Sequence, residues 1–258
     1  MKRFPRRIVI TTALSCSLVV AGVLASGVWR GGLPGYGAGL DYRTVIGPPP
    51  APGSAAAGAD RAAISLATAA IGGPAWQAAS HEIFPTSDAV RAEVSCAIGH
   101  RLAPNATPAT MRLIERAAAD LQPPVEAAKA DFARDRPFVG ADDPRSCDLR
   151  TLGALGKWGG GLLSYSYPSG HAAFGQLAAL VLADAEPARA APLAAWGTAL
   201  GDHRVACRVH WPSDIAAGRR LATAVHARLA ALRAYRADVA AARTELRRAP
   251  AADCRPRG

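Results

Sequence analysis

At 258 residues, half of them hydrophobic, the chain is long enough to bury a sizeable core in one domain. Thirty Lys and Arg against 20 Asp and Glu give a net charge of +10, a balance suited to anionic substrates. The arginines are scattered, with no basic block set among stacked aromatics, which argues against nucleic acid as the main partner.

In chain order, Lys2, Arg3, Arg6 and Arg7 precede an apolar run from Ile8 to Val23, and Val23-Leu24-Ala25 offers a small-residue cleavage site. Residues 1–25 therefore read as an export signal, and Arg6-Arg7-Ile8-Val9-Ile10 loosely fits its twin-arginine form. The competing reading is an uncleaved anchor, for which the run is short. Cleavage would remove Cys16 and leave Cys96, Cys147, Cys207 and Cys254, an even set that suggests two disulfides in any of three pairings. No two of these cysteines are close enough for a Cys-x2–4-Cys zinc site.

Residues 26–58 are rich in Gly, Pro and Ala and read as an extended arm or linker. A helical domain is expected over residues 59–247, with a tail over 248–258. Asp60 is placed to cap a first helix that Gly72-Gly73-Pro74 ends, and Thr86 or Ser87 to cap another carrying Val90, Val94 and Ile98. Thr107-Pro108 opens a helix with Met111, Ile114, Ala118 and Leu121 on one face, with Thr107 as cap. Pro123-Pro124 is expected to break it, and a second helix to run from Val125 to Arg134. Should that helix persist, Lys129 and Arg136 share a face.

Between Pro137 and Pro168 there is no clear periodicity, only a long loop with Gly153, Gly156 and Gly159-Gly160-Gly161. Ser169-Gly170-His171 opens an apolar helix that Pro187 ends; further helices are expected from Pro192 to Val205 and from Pro212 to Arg247. No stretch alternates long enough for a strand, so the fold class is all-α.

Three blocks carry chemistry. Lys129-x6-Arg136-Pro137 supplies two cations, and Lys129 is informative because the chain beyond the signal uses Lys only there and at Lys157. Pro168-Ser169-Gly170-His171 places a hydroxyl, a flexible backbone and an imidazole at a helix N-terminus, where unpaired N–H groups favour an anion. Arg204-x5-His210-x3-Asp214 adds a third cation, and Asp214 falls one helical turn after an imidazole whose tautomer it can fix. Together they hold a phosphate, attack it and protonate what leaves. Each block alone has a plainer reading, as a solvated cation, a serine cap with a half-buried histidine, or an aspartate cap.

The same three blocks resemble the signature of the type 2 phosphatidic acid phosphatase and vanadium haloperoxidase superfamily. Within it, Ser166-Tyr167-Pro168-Ser169-Gly170-His171, Arg204-Val205-Ala206-Cys207, His210-Trp211 and Ser213-Asp214 are similar to the bacterial class A non-specific acid phosphatases. The resemblance implies a single compact helical bundle and a metal-independent, periplasmic or secreted phosphomonoesterase of broad specificity that needs no cofactor. It implies Lys129, Arg136, Ser169, Gly170 and Arg204 as phosphate binders. His210 would be the nucleophile that forms a phosphohistidine, His171 the acid and Asp214 the partner of His210. The family usually has Ser where this chain has His203, and a positive charge there is expected to favour phosphate at acid pH. Small phosphate esters are the expected partners, not a specific nucleic acid, nor a membrane once the signal is cleaved; self-association is left open. A lipid phosphate phosphatase, a vanadate-dependent haloperoxidase and a non-catalytic anion-binding protein are the alternatives. The last has no need of His171 together with His210 and Asp214.

Overall fold

The computed structural model of the protein describes residues 32–83, 87–148 and 165–254. The export signal, Thr86 as a cap, and the glycine loop with Lys157 lie outside the described residues. Those described form helices and turns with no strand, only an isolated bridge between His100 and Ala251.

Helix α1 (Ala55–Ala69) starts earlier than Asp60, because Ser54 caps it by accepting from the Ala57 amide at 3.2 Å. Asp60 is instead buried within the helix. The Gly-Gly-Pro cluster that ends α1 also starts a short helix, α2 (Pro74–His81), that periodicity did not reveal. Ser87 caps α3 (Asp88–Ile98), and Gly99 closes it in the left-handed conformation.

Helix α4 (Pro108–Phe132) runs straight through Pro123 and Pro124. Each proline removes an intrahelical bond, but Leu113, Ala117, Leu121, Pro124, Val125 and Ala128 bury one continuous face, and that packing outweighs local propensity. Thr107 does not cap it: its hydroxyl is engaged with Ala103, while the Glu245 carboxylate accepts from the amides of Ala109 and Thr110 at 2.9 and 2.8 Å. The helix ends at Ala133 (φ 43°), so Arg136 lies beyond it in a loop and does not share a helical face with Lys129.

Helix α5 (Gly170–Ala185) is buried on nearly every side and forms the centre of the molecule, gripped by α6 (Ala190–Ala206), α7 (Pro212–Ala231) and α4. Glycines allow the grip: a Cβ added at Gly175 would lie 2.7 Å from the Gly197 carbonyl, and one at Gly218 would collide with the Ser169 carbonyl. The long last helix expected from sequence is two. Leu232 (ψ 131°) turns the chain so that α8 (Arg233–Leu246) packs Tyr235, Ala242 and Leu246 inward and lies against α4.

The last four residues of the expected arm belong to α1; before Ser54 its described part has one 3-10 turn at Tyr42–Thr44 and is strapped down. The amides of Tyr36, Gly37 and Ala38 donate to the Asp120 carboxylate, and Tyr42 and Ile46 join the core. Two disulfides answer the pairing left open by the sequence. Cys96–Cys254 ties α3 to the C-terminal tail and Cys147–Cys207 ties a loop to the end of α6, with Cα atoms 5.4 and 5.0 Å apart. Among the described residues no helix is long and apolar enough to cross a membrane.

Candidate active site

The ends of four helices converge at one site: the last turn of α4, the start of α5, the last turn of α6 and the start of α7. Backbone bonds lock them together. The Ser169 amide donates to the Asp214 carbonyl at 3.0 Å, joining the starts of α5 and α7, and the His210 amide reaches the Arg204 carbonyl at 3.3 Å. The Ser166 amide reaches the Arg134 carbonyl at 2.8 Å, and Arg136 Nη1 donates to the Val209 carbonyl at 2.6 Å. All eight residues singled out by sequence fall in this one neighbourhood.

His210 is 3% exposed and held from both sides. Its Nδ1 lies 3.3 Å from Asp214 Oδ2, and its Nε2 lies 3.4 Å from Arg136 Nη1. A guanidinium only donates, so Nε2 presents its lone pair and Nδ1 carries the proton toward Asp214. Asp214 also accepts from the Trp211 amide at 2.8 Å, so it caps its helix and orients the imidazole at once. Its other oxygen takes Arg134 Nη1 at 2.6 Å. Arg134 in turn binds Asp60 at 2.8 Å and Ser213 at 2.7 Å, and Asp60 accepts from the Ser213 amide at 3.0 Å. A buried chain thus runs from α1 to His210.

His171 is half-buried, and its Nε2 donates to the Ile83 carbonyl at 3.0 Å, since a carbonyl only accepts. Ser169 is fully buried; its Oγ accepts from the Ala172 amide at 3.3 Å and keeps its own proton to give. Gly170 is the first residue of α5. Lys129 Nζ donates to the Tyr165 carbonyl at 2.7 Å. Arg204 is fully buried: Nη2 donates to the Ala79 carbonyl at 2.7 Å and to Glu82 at 3.0 Å, while Nε and Nη1 have no hydrogen-bond partner among the described residues. Such orphan donors are costly without an acceptor. His203 does not face them; its Nδ1 is 2.7 Å from Glu82.

Electrostatically the site is set for an anion. Burial first, then Arg136, Lys129 and Arg204, push His210 well below the ordinary histidine range. Burial, Arg204 and His210 do the same to His171. Burial and Arg136 lower the Lys129 ammonium. Burial pushes the Asp214 carboxyl up, against the Arg134 guanidinium, which favours its charged form. An entering phosphate would relieve the strain among these cations. Chemically, the arrangement offers a neutral, oriented nucleophilic nitrogen, a second imidazole, and donors for several oxygens.

Three residues bonded to the site's side chains are not marked by the sequence. Asp60 is expected as a cap and Arg134 as the last residue of a helix, and Glu82 lies outside the three motif blocks. Their only sequence-level signal is an acid or base in a segment that turns out buried.

A family model described as the PAP2 superfamily matches residues 115–238. The chain is 34% identical over 208 residues to a non-specific acid phosphatase of Salmonella typhimurium, a match covering 80% of each chain. It is 33% identical over 209 residues to an acid phosphatase of Zymomonas mobilis subsp. mobilis, covering 81% of this chain and 76% of the relative. A shorter match, 37% over 102 residues, links it to a non-specific acid phosphatase of Providencia stuartii, covering 40% of this chain and 38% of the relative.

Proposed function

The chain belongs to the non-specific acid phosphatases of the PAP2 superfamily, and on that premise we propose that it hydrolyses phosphomonoesters of broad range through a phosphohistidine formed on His210. The observation that carries this reading is the His210 ring itself, pinned at Nδ1 by Asp214 and presenting a lone pair at Nε2 to Arg136. Lys129, Arg136, Arg204 and the Ser169–Gly170 helix start hold the phosphoryl oxygens, and the unpartnered nitrogens of Arg204 find their acceptors there. These fixed cations stabilise the charge of the transferring group without a metal ion.

In the first step the Nε2 lone pair attacks phosphorus and the bond to the leaving oxygen breaks. His171, protonated in the presence of the phosphate charge, gives that oxygen a proton and becomes neutral. Its Nε2–H stays with Ile83, so the proton delivered is the one on Nδ1. In the second step a water loses a proton to His171 as it attacks phosphorus; the N–P bond breaks and inorganic phosphate departs. Asp214 stabilises the positive ring throughout.

The purified protein with EDTA and a chromogenic aryl phosphate tests the activity. Turnover is expected between about pH 4 and 8, the span over which imidazoles change charge; none in that range would defeat the reading. The two disulfides favour an oxidising compartment, so we place the enzyme in the periplasm or outside the cell, delivered by the residue 1–25 signal.

A further inference from the structure

Behind Arg204 stand two groups, Glu82 and His203, that the reaction itself does not use. The chain turns at the end of α2, and its carboxylate there, Glu82, is 2% exposed. Oε2 receives Arg204 Nη2 at 3.0 Å and Oε1 meets His203 Nδ1 at 2.7 Å, so one buried acid is shared by two bases. Both protons of Arg204 Nη2 are thereby committed, one to Glu82 and one to the Ala79 carbonyl. The guanidinium plane is fixed from behind, and its other two nitrogens have no partner among the described residues.

We propose that Glu82 is the positioning residue for Arg204, and that His203, through the shared carboxylate, makes the hold of Arg204 on a phosphate oxygen depend on pH. The proposal rests on the reading that Arg204 binds phosphate. When His203 is protonated, Glu82, His203 and Arg204 together carry one net positive charge. When it is neutral, Glu82 cancels Arg204 and the anion meets no net charge from the cluster. The bond to Glu82 raises His203 above its ordinary range against the opposing effect of burial, so the charged form persists further toward neutral pH.

Among the described residues, the other charges facing the cluster come from α3, α5, α7 and the loop before the glycine stretch. Glu93 on α3 lies close enough to favour the charged His203, and is itself pushed up by burial and by Glu82. Asp148 acts on Arg204 from the loop side, and His171 of α5 feels the Arg204 charge. Arg219 of α7 is occupied with Asp202 and the Thr198 carbonyl. The contribution of Glu93 survives a change at His203, so comparison of variants separates the two.

The experiment is competitive inhibition by inorganic phosphate across pH, corrected for the ionisation of phosphate itself, in the wild type, His203→Ser, Glu82→Gln and the double variant. In the wild type, Ki should rise about threefold to tenfold as His203 loses its proton, the size of one partly screened charge. His203→Ser should remove that rise. Glu82→Gln should also remove it, because the amide turns its oxygen to Arg204 and leaves His203 facing an NH2 group that disfavours its protonation. The double variant should then match Glu82→Gln in its pH dependence. An unchanged pH dependence in His203→Ser, or effects that simply add in the double variant, would overturn the proposal.

Should Glu82→Gln fail to fold, NMR titration of His203 decides the matter: linkage requires bound phosphate to raise its pKa, and no shift would refute the coupling. Arg204→Ala tests the underlying reading separately. If it leaves Ki unchanged, phosphate is not held by Arg204 at all; if it weakens Ki while His203→Ser is inert, only the coupling fails.

Discussion

His210 sits where burial and three cations disfavour its protonated form, and this bears on how the enzyme works in acid. A group held below its ordinary range stays neutral as pH falls past the point where a free imidazole charges, so the nucleophile survives into acid solution. The acid limb of kcat/KM is therefore expected below about pH 6.5, the ordinary histidine value. Arg136→Gln removes one of the cations responsible and should move that limb upward, whatever it does to the maximum rate. A pH–rate profile checks this; an unmoved limb would show that Arg136 does not set the titration. Asp60→Ala leaves Arg134 without one of its two carboxylates, and breaking such a buried pair costs about 3–5 kcal/mol. Denaturant unfolding should show the loss, with kcat falling as Asp214 loses its support. The residues proposed to touch the reacting atoms were legible from motif spacing, although Arg136 and His210 stand in loops beyond helix ends rather than on the helices. Asp60, Arg134 and Glu82 were not, because their partners are distant in sequence: Arg134 and Asp60 are 74 residues apart, and Glu82 and Arg204 are 122. A buried carboxylate in a helix looks, in sequence, like any cap or solvated acid.

Helices decide how these groups meet. The starts of α5 and α7 are pressed together at Gly218, whose missing side chain leaves room for the Ser169 carbonyl. Gly218→Ala is expected to destabilise the fold by about 1–3 kcal/mol and to lower kcat by displacing Ser169. Gly58 in α1 provides the contrast: an added Cβ meets only the tip of Arg61 at 3.9 Å, so Gly58→Ala should stabilise the protein by roughly 0.5–1 kcal/mol with activity retained. Chemical denaturation with parallel kinetics distinguishes the two. Helix starts at Pro108, Gly170 and Pro212 were readable from their proline and serine signals. The prolines inside α4 and the break at Leu232 were misread for one reason. Local propensity ends a helix at Pro123 and continues one past Leu232, whereas packing against α5 and between α4 and α8 requires the opposite.

On the scale of the whole molecule, the two disulfides divide stability from catalysis. Cys207 lies three residues before His210, and Val209 between them receives Arg136. Replacing Cys147 and Cys207 by Ala should cost about 2–5 kcal/mol and reduce kcat. Replacing Cys96 and Cys254 should lower Tm with kcat preserved, since that bridge ties only the C-terminal tail to α3. The all-helical class was legible from composition and the lack of alternation, but not the strapping of the arm, which depends on groups far along the chain: Asp120 takes three of its amides, Asp238 accepts from the Tyr36 hydroxyl at 2.8 Å, and the Tyr167 hydroxyl donates to the Gly47 carbonyl at 2.9 Å. The most direct test of the whole account is rapid-quench labelling with a phosphorylated substrate. The wild type should carry an acid-labile phosphate on His210 that disappears in His210→Ala and persists in His171→Ala. A label that survives in His210→Ala, or burst-free turnover with no label in the wild type, would contradict it.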